Sequence, residues 1–337
     1  MQLPLNAYAS ARERAPGALL AILVALAAAF IVTRYGGPIL LLALLLGMAF
    51  NFLSENPKVA VGLDFCTKSI LRLGVALLGA RITFDQIATL GLRAVAIVIV
   101  AIFATMLFSR FAARRLGLSG AFAAISGTAV SICGVSAALA AASVLPERTE
   151  AARQVVIVCI AVTALSTIAM LVYPALASFA GLTPIEGGVF LGATIHDVAQ
   201  VVGAGYTMSP THGDVATVTK LLRVLMLAPL VLSLAMLVHR AGAPAPAGRR
   251  WRMLLPPWFL LAFVAIVTLN SADVLSARVI GDAIFGSQAC LVVAITALGL
   301  RTSLASLREV GWRPLMLMTG QTVFLALVVA ALLVATA

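Results

Sequence analysis

The chain has 337 residues, 62% of them apolar and 10% charged, with a mean hydropathy of +1.12. Soluble domains are about a quarter charged and under about half apolar, so the composition excludes a cytosolic enzyme, a secreted domain, a disordered chain and a nucleic-acid binder. The 23 Lys and Arg against 12 Asp and Glu leave a net charge of +11, and these cations sit mainly between the apolar runs, as the positive-inside rule requires of a membrane protein.

A bilayer core of about 30 Å needs about 20 apolar residues per helix. Runs free of Asp, Glu, Lys and Arg at 15–33, 35–54, 116–146, 154–185, 253–272, 283–300 and 314–337 predict an all-α polytopic membrane protein. A β-barrel would show short alternating segments instead. Residues 1–16, with Arg12 and Arg14 ahead of an uncleaved first helix, are expected as a cytoplasmic N-terminal segment, and 17–337 as a single transmembrane domain. About eleven spans are expected, at 17–33, 38–53, 59–80, 94–109, 119–145, 155–179, 188–206, 216–238, 258–271, 284–300 and 315–334. With the N-terminus inside, the cytoplasmic loops hold thirteen arginines and lysines: Arg12, Arg14, Lys58, Arg110, Arg114, Arg115, Arg240, Arg249, Arg250, Arg252, Arg301, Arg308 and Arg313. The outer loops hold six: Arg34, Arg81, Arg93, Arg148, Arg153 and Arg278.

The four cysteines, Cys66, Cys133, Cys159 and Cys290, form no C-x-x-C pair. Their spacing supports neither a disulfide framework nor a metal site. Cys66, Cys159 and Cys290 read as buried small hydrophobes. No P-loop pattern is present, so ATP-driven pumping by this chain alone is not expected.

An internal echo suggests repeats. Leu78-Gly79-Ala80-Arg81-Ile82-Thr83 returns as Leu298-Gly299-Leu300-Arg301-Thr302-Ser303, and Gly91 and Arg93 return as Gly311 and Arg313, always 220 positions later. Within the eleven-span topology the two copies face opposite sides, as in the inverted repeats of secondary transporters; chance similarity of two apolar hairpins is the alternative. A second echo, 169–172 against 235–238 (Ala-Met-Leu-Val), comes out parallel in that topology, so it is either chance or a sign that the topology is wrong there.

Ionisable groups at membrane depth cost a few kcal/mol each and face a cavity or a partner. Asp64, Lys68 and Arg72 follow at i, i+4 and i+8, a stripe that pairs internally and snorkels or faces a cavity. In the segment 127–136, Gly127, Ser131 and Gly134 share a helical face beside Thr128, Cys133 and Ser136. It reads either as small-residue helix packing or as a helix break whose half-helix N-terminus attracts anions. The segment 192–203 carries His196, Asp197 and Gln200 in an otherwise apolar helix and reads as a site. One His and one Asp are too few for a metal, and no cofactor is expected. Thr217, Lys220 and Arg223 form a stripe with no acidic residue within a turn of the two cations. These cations suit either an oxyanion or snorkelling to the interface.

Ser131-Ile132-Cys133-Gly134, the block from Ile195-His196-Asp197-Val198-Ala199-Gln200 through Val201-Val202-Gly203-Ala204-Gly205, and Lys220-Leu221-Leu222-Arg223-Val224 resemble the YeiH-like family, bacterial inner-membrane proteins described as sulfate exporters. Leu71-Arg72-Leu73-Gly74, Leu77-Leu78-Gly79 and Arg81 add to the resemblance, which runs from about Gly37 to the C-terminus. The chain departs from the compact Gly-x-Ser-Ile-Cys-Gly of such families in carrying Gly127-Thr128-Ala129-Val130 ahead of Ser131. The resemblance implies a fold related to the cation/proton antiporter and bile-acid symporter group, with inverted repeats and two crossing discontinuous helices. It also implies a sulfate-like anion and a bacterial inner membrane.

The resulting expectation is a non-enzymatic secondary transporter exporting a small oxyanion, sulfate or a sulfonate-derived anion. The substrate-binding candidates are Thr128, Ser131, Cys133, Gly134, Ser136, His196, Gln200, Lys220 and Arg223, with His196 and Asp197 for ion coupling. A proton or sodium ion is the candidate coupling partner and a homodimer the candidate assembly. The alternative is a cation/proton antiporter with Asp197 as ion ligand. A membrane-embedded enzyme ranks below both, lacking a second carboxylate at productive spacing, a nucleophile motif and a metal set.

Overall fold

Helix dominates wherever the apolar runs predicted it. The computed structural model describes residues 3–145, 149–240, 257–303, 307 and 310–336; Arg148, Arg249, Arg250, Arg252 and Arg308 of the orientation count lie outside the described residues. The helices are α1 (Leu3–Tyr35), α2 (Ile39–Ala49), α3 (Pro57–Phe65), α4 (Leu71–Leu78), α5 (Phe84–Arg115), α6 (Gly120–Ser131), α7 (Val135–Val144), α8 (Thr149–Phe179), α9 (Pro184–Thr194), α10 (Val198–Met208), α11 (Pro210–Leu225), α12 (Leu227–Arg240), α13 (Trp258–Ser271), α14 (Ala277–Arg301) and α15 (Trp312–Ala335). Among the described residues six helices are long and apolar enough to cross a membrane: within α1, α5, α8, α11–α12, α14 and α15. Local chemistry sets many of the starts. Asn56, Ser119, Ser209 and Ser276 accept first-turn amides at the heads of α3, α6, α11 and α14. Thr183 and Glu186 form a capping box on α9, and hydrogen bonds from the Thr183 side chain and backbone hold the Glu186 carboxyl below its ordinary range.

The chain divides into two compact units. The first comprises residues 1–89, 206–208 and 258–303. Its helices meet through glycine. A Cβ on Gly47 of α2 would lie 2.9 Å from the Leu300 amide nitrogen and 3.0 Å from the Gly299 Cα, all backbone of α14. Gly17 of α1 and Gly62 of α3 meet in the same way. Asp64 pairs with Lys68 at 2.6 Å and also with Arg301 at the end of α14. The internal pairing expected of the 64–68–72 stripe is therefore present. A π-helical turn at Cys66–Ile70 interrupts the regular spacing before Arg72. Gly47→Ala is expected to push α2 off α14 at a cost of about 1–3 kcal/mol, read as a lowered unfolding midpoint of the detergent-solubilised protein.

The echo separated by 220 positions is structural. In the first unit α4 and α14 run antiparallel: the Ser287 hydroxyl donates to the Gly74 carbonyl at 2.7 Å, while Leu77 lies beside Gly286. In the second unit (residues 90–205, 209–257 and 304–337) α5 and α15 are also antiparallel. Phe108 stacks on Phe324 with centroids 4.4 Å apart, and Arg93 donates to the Leu333 carbonyl at 2.7 Å. Gly91 and Gly311 both have positive φ, 63° and 81°: Gly91 kinks α5 at the head of its membrane-spanning part, and Gly311 caps the start of α15. The equivalent arginines then reach each other's partner: Arg93 the C-terminal end of α15, Arg313 the neighbourhood of Gly117 just past α5. Each places a cation at the negative end of a helix dipole.

Two of the eleven expected spans fold back on themselves. The Gln154 amide on α8 donates to Ser119 at the head of α6 at 3.2 Å, so α7 returns to the end where α6 began. His212, at the head of α11, lies against Gly187 of α9, and its carbonyl approaches Gly205 of α10. Segments 119–145 and 188–206 are therefore re-entrant hairpins, α6–α7 and α9–α10, whose helices of 12, 10, 11 and 11 residues each reach about half a ~30 Å core. Discontinuous helices were implied by the family resemblance; the fold-back corrects the span count and the outward assignment of Arg153, which lies in the first turns of α8 on the side where α5 ended. That strengthens the positive-inside asymmetry. It also removes a conflict, because a hairpin that does not cross leaves α8 and α12, the carriers of the second echo, running in opposite directions.

Candidate functional site

The tips of the two hairpins meet inside the second unit. The first tip is Ile132-Cys133-Gly134, where Ile132 leaves helical geometry and Gly134 sits at φ 69°. That positive-φ conformation is open to glycine and disfavoured for a residue with a Cβ, which explains glycine at this position. The second tip is Ile195-His196-Asp197, extended at Ile195 and Asp197. Irregular backbone at this depth is tolerated only inside protein or along a cavity, and Ile132, Cys133, Ile195 and His196 are all buried.

Four half-helix ends converge here, and they are neutralised differently. The carbonyl ends of α6 and α9 share two cations from α11. Arg223 donates through Nε to the Ser131 carbonyl (3.0 Å), through Nη2 to Val130 (2.9 Å) and through Nη1 to Gly192 (3.1 Å) and Ile195 (2.9 Å). Lys220 donates to the carbonyls of Ile132 and Ile195. Both side chains are buried, Lys220 at 0% and Arg223 at 1% exposure. The expectation of unpaired cations free for an oxyanion is thus corrected: orphan carbonyls at a helix C-terminus are the natural acceptors for Lys and Arg, and here they occupy most of the available N–H groups.

The amide ends are the open side. The α10 amide end is capped by Asp197, whose carboxylate accepts the Ala199 N–H at 2.8 Å. At the α7 amide end Gly134 offers no side-chain cap. Val135 and Ser136 are exposed there, and Asp197 and Val198 half-buried, in contrast to the sealed carbonyl side. Cys133 Sγ lies 2.9 Å from Ser136 Oγ.

His196 spans the junction. Its Nδ1 lies 3.1 Å from the Val130 carbonyl and its Nε2 3.0 Å from the Thr322 hydroxyl of α15. The backbone N–H groups of His196 and Asp197 donate to Ser166 of α8 at 3.2 and 3.1 Å. Gln200 donates to Thr167 at 2.8 Å. Beside Thr322, Gln321 donates to Ser109 (2.6 Å) and Ser126 (3.0 Å), tying α15 to α5 and α6.

The structure therefore gathers Ser131, Cys133, Gly134, His196, Lys220 and Arg223 at the tips, with Ser136 and Asp197 on the amide side. Ser131 contributes its carbonyl; its hydroxyl bonds back to Thr128 at 3.5 Å. Thr128 points to Met106 sulfur on α5 (3.8 Å) and not into the junction. Because both tips break the helix, the shared face expected for Gly127 with Gly134 does not exist, and the single helix expected through His196, Asp197 and Gln200 is two helices. Ser166, Thr167, Gln321 and Thr322 carry the second tier of the site and were not singled out in the sequence. Their only signal is polarity in otherwise apolar runs. Cys66 is buried as expected, while Cys159 and Cys290 are only half-buried.

Comparison with known proteins supplies the family. A model described as Conserved hypothetical protein 698 matches residues 16–318. A UPF0324 membrane protein of Chlorobaculum tepidum is 48% identical over 318 residues, covering 93% of this chain and 87% of that protein. The UPF0324 membrane protein TauZ of Paracoccus pantotrophus is 45% identical over 320 residues, with 95% and 94% covered. The UPF0324 inner membrane protein YeiH of Escherichia coli is 33% identical over 285 residues, with 82% and 80% covered. No solved structure matches the chain. The chain belongs to the UPF0324 family of membrane proteins.

Proposed function

We propose that this UPF0324 chain is a secondary transporter that exports a small oxyanion, sulfate or a sulfonate-derived anion, by alternating access coupled to a proton. The observation that carries the reading is the asymmetry of the hairpin junction: its carbonyl side is sealed by Lys220 and Arg223, while its amide side is open at Val135 and Ser136. Free N–H groups at a helix N-terminus are ready donors for an oxyanion. The first turn of α7 supplies them, with Ser136 and Cys133 alongside. Lys220 and Arg223 contribute positive potential from behind the tips without touching the ligand. Paired half-helices at mid-depth in opposed repeats are a recurring construction of secondary transporters.

The test is flux of radiolabelled sulfate, and of a small alkyl sulfonate, from proteoliposomes under imposed pH gradients. Flux that follows the proton gradient and falls on Ser136→Ala supports the reading. A folded protein that moves neither anion under any gradient rejects it. One observation favours a second reading: the half-buried Asp197 carboxylate stands at the open side, where a cation/proton antiporter would hold its ion.

A further inference from the structure

We infer that Thr322 is a positioning residue for proton uptake at His196, and that the proton enters on Nε2. A carbonyl only accepts, so the contact of Nδ1 with the Val130 carbonyl at 3.1 Å places a hydrogen on Nδ1. Nε2 is then the acceptor in the neutral ring. Its partner, the Thr322 hydroxyl, lies 3.0 Å from Nε2 and 2.9 Å from the Met318 carbonyl. One hydroxyl hydrogen cannot serve both.

Two arrangements of the same heavy atoms satisfy the geometry. With His196 neutral, Thr322 donates to Nε2. With a proton from water added to Nε2, the imidazolium donates to the Thr322 oxygen and the hydroxyl turns to donate to Met318. The change in protonation needs only rotation of one O–H bond. The second acceptor is available because Met318 lies one turn before Thr322 on α15, where threonine hydroxyls bond back to the helix.

The charged and titratable groups around the ring are Lys220 and Arg223 on α11, Cys133 at the first tip and Asp197 in its own tip. From α8 and α15 the neighbours are the hydroxyls of Ser166 and Thr322. Against two fixed cations, an imidazolium depends on a well-placed acceptor for its new N–H, and Thr322 provides it. Gln321, anchored to Ser109 and Ser126, fixes the height of α15 at that point.

The experiment is a pH titration of the ring nitrogens by 15N NMR on histidine-labelled protein in lipid nanodiscs, with His196 assigned as the signal lost in His196→Gln. The wild-type protein is expected to show the Nδ1-protonated tautomer at high pH and the cation at lower pH. Thr322→Val, which keeps the shape and removes the acceptor, is expected to weaken proton binding about tenfold, and Thr322→Ser to restore it. A neutral ring protonated on Nε2, a ring that never titrates, or an unchanged midpoint in Thr322→Val overturns the inference. If the valine variant does not fold, the wild-type tautomer and titration still decide. That the proton is the coupled ion rests on the transport reading; the titration does not. Intact titration with no proton-dependent flux rejects transport alone, and flux with an unchanged titration rejects the role of Thr322 alone.

Discussion

Arg223→Leu is expected to cost the fold before it costs any activity. The guanidinium donates to four buried backbone carbonyls on two hairpins; Val130 and Ile195 keep His196 and Lys220 as donors, while Ser131 and Gly192 lose the guanidinium N–H that each accepts. A buried acceptor that loses its partner costs about 1–3 kcal/mol, and removing one partner of a buried charged network about 3–5 kcal/mol. The two carbonyl ends also lose a cation that offsets their aligned dipoles. The expected result is a loss of several kcal/mol, seen as poor recovery of monodisperse protein and a steep fall in unfolding midpoint by fluorescence-detected size-exclusion chromatography. Arg223→Lys keeps the charge but not the planar fork, so it should fall between. A leucine variant as stable as the wild type, with only flux impaired, would return Arg223 to the role of a ligand-binding cation.

That contrast marks where sequence reasoning stops. An unpaired Lys and Arg in an apolar run look alike whether they await an anion or hold backbone carbonyls, because carbonyls have no sequence signature. The break near Gly134 was legible as one of two readings, since glycines and hydroxyls are poor material for the middle of a lipid-spanning helix; the break at His196-Asp197 was not, because that segment read as one continuous helix carrying a site. Neither was the fold-back. A hairpin of two half-length helices has the composition and length of one full span. Only contacts such as Gln154 with Ser119 and His212 with Gly187 separate the two. One trace did exist: the echo between 169–172 and 235–238 came out parallel when every run was made to cross, and turns antiparallel once α9–α10 is re-entrant.

Ser166 and Thr322 were missed for a related reason. Hydroxyls in apolar helices usually bond back one turn, as Thr163, Thr194 and Thr296 do here. Nothing in the sequence separates those from a hydroxyl that serves a neighbouring hairpin. The echo separated by 220 positions was legible because it included arginine and glycine, residues whose places at helix ends are dictated by charge and backbone geometry.

Asp197→Asn separates the two transport readings in one variant. Asparagine caps a helix about as well as aspartate, so the Ala199 N–H keeps an acceptor and the protein should fold with nearly unchanged stability. Asp197→Ala, which removes the cap, should lose about 1 kcal/mol. What the asparagine variant removes is a negative charge on the open, amide side of the junction. A carboxylate within about 8 Å of a bound oxyanion opposes it by about 2 kcal/mol at an effective dielectric of 20, so half-saturation for sulfate in proteoliposomes should fall at least about tenfold. Turnover should fall with it, since an anion held more tightly leaves more slowly. If instead the carboxylate is the ion ligand of a cation/proton antiporter, the same variant abolishes sodium-dependent proton flux and leaves sulfate without effect. Since both readings predict a folded protein, the sign of the change in anion affinity decides between them.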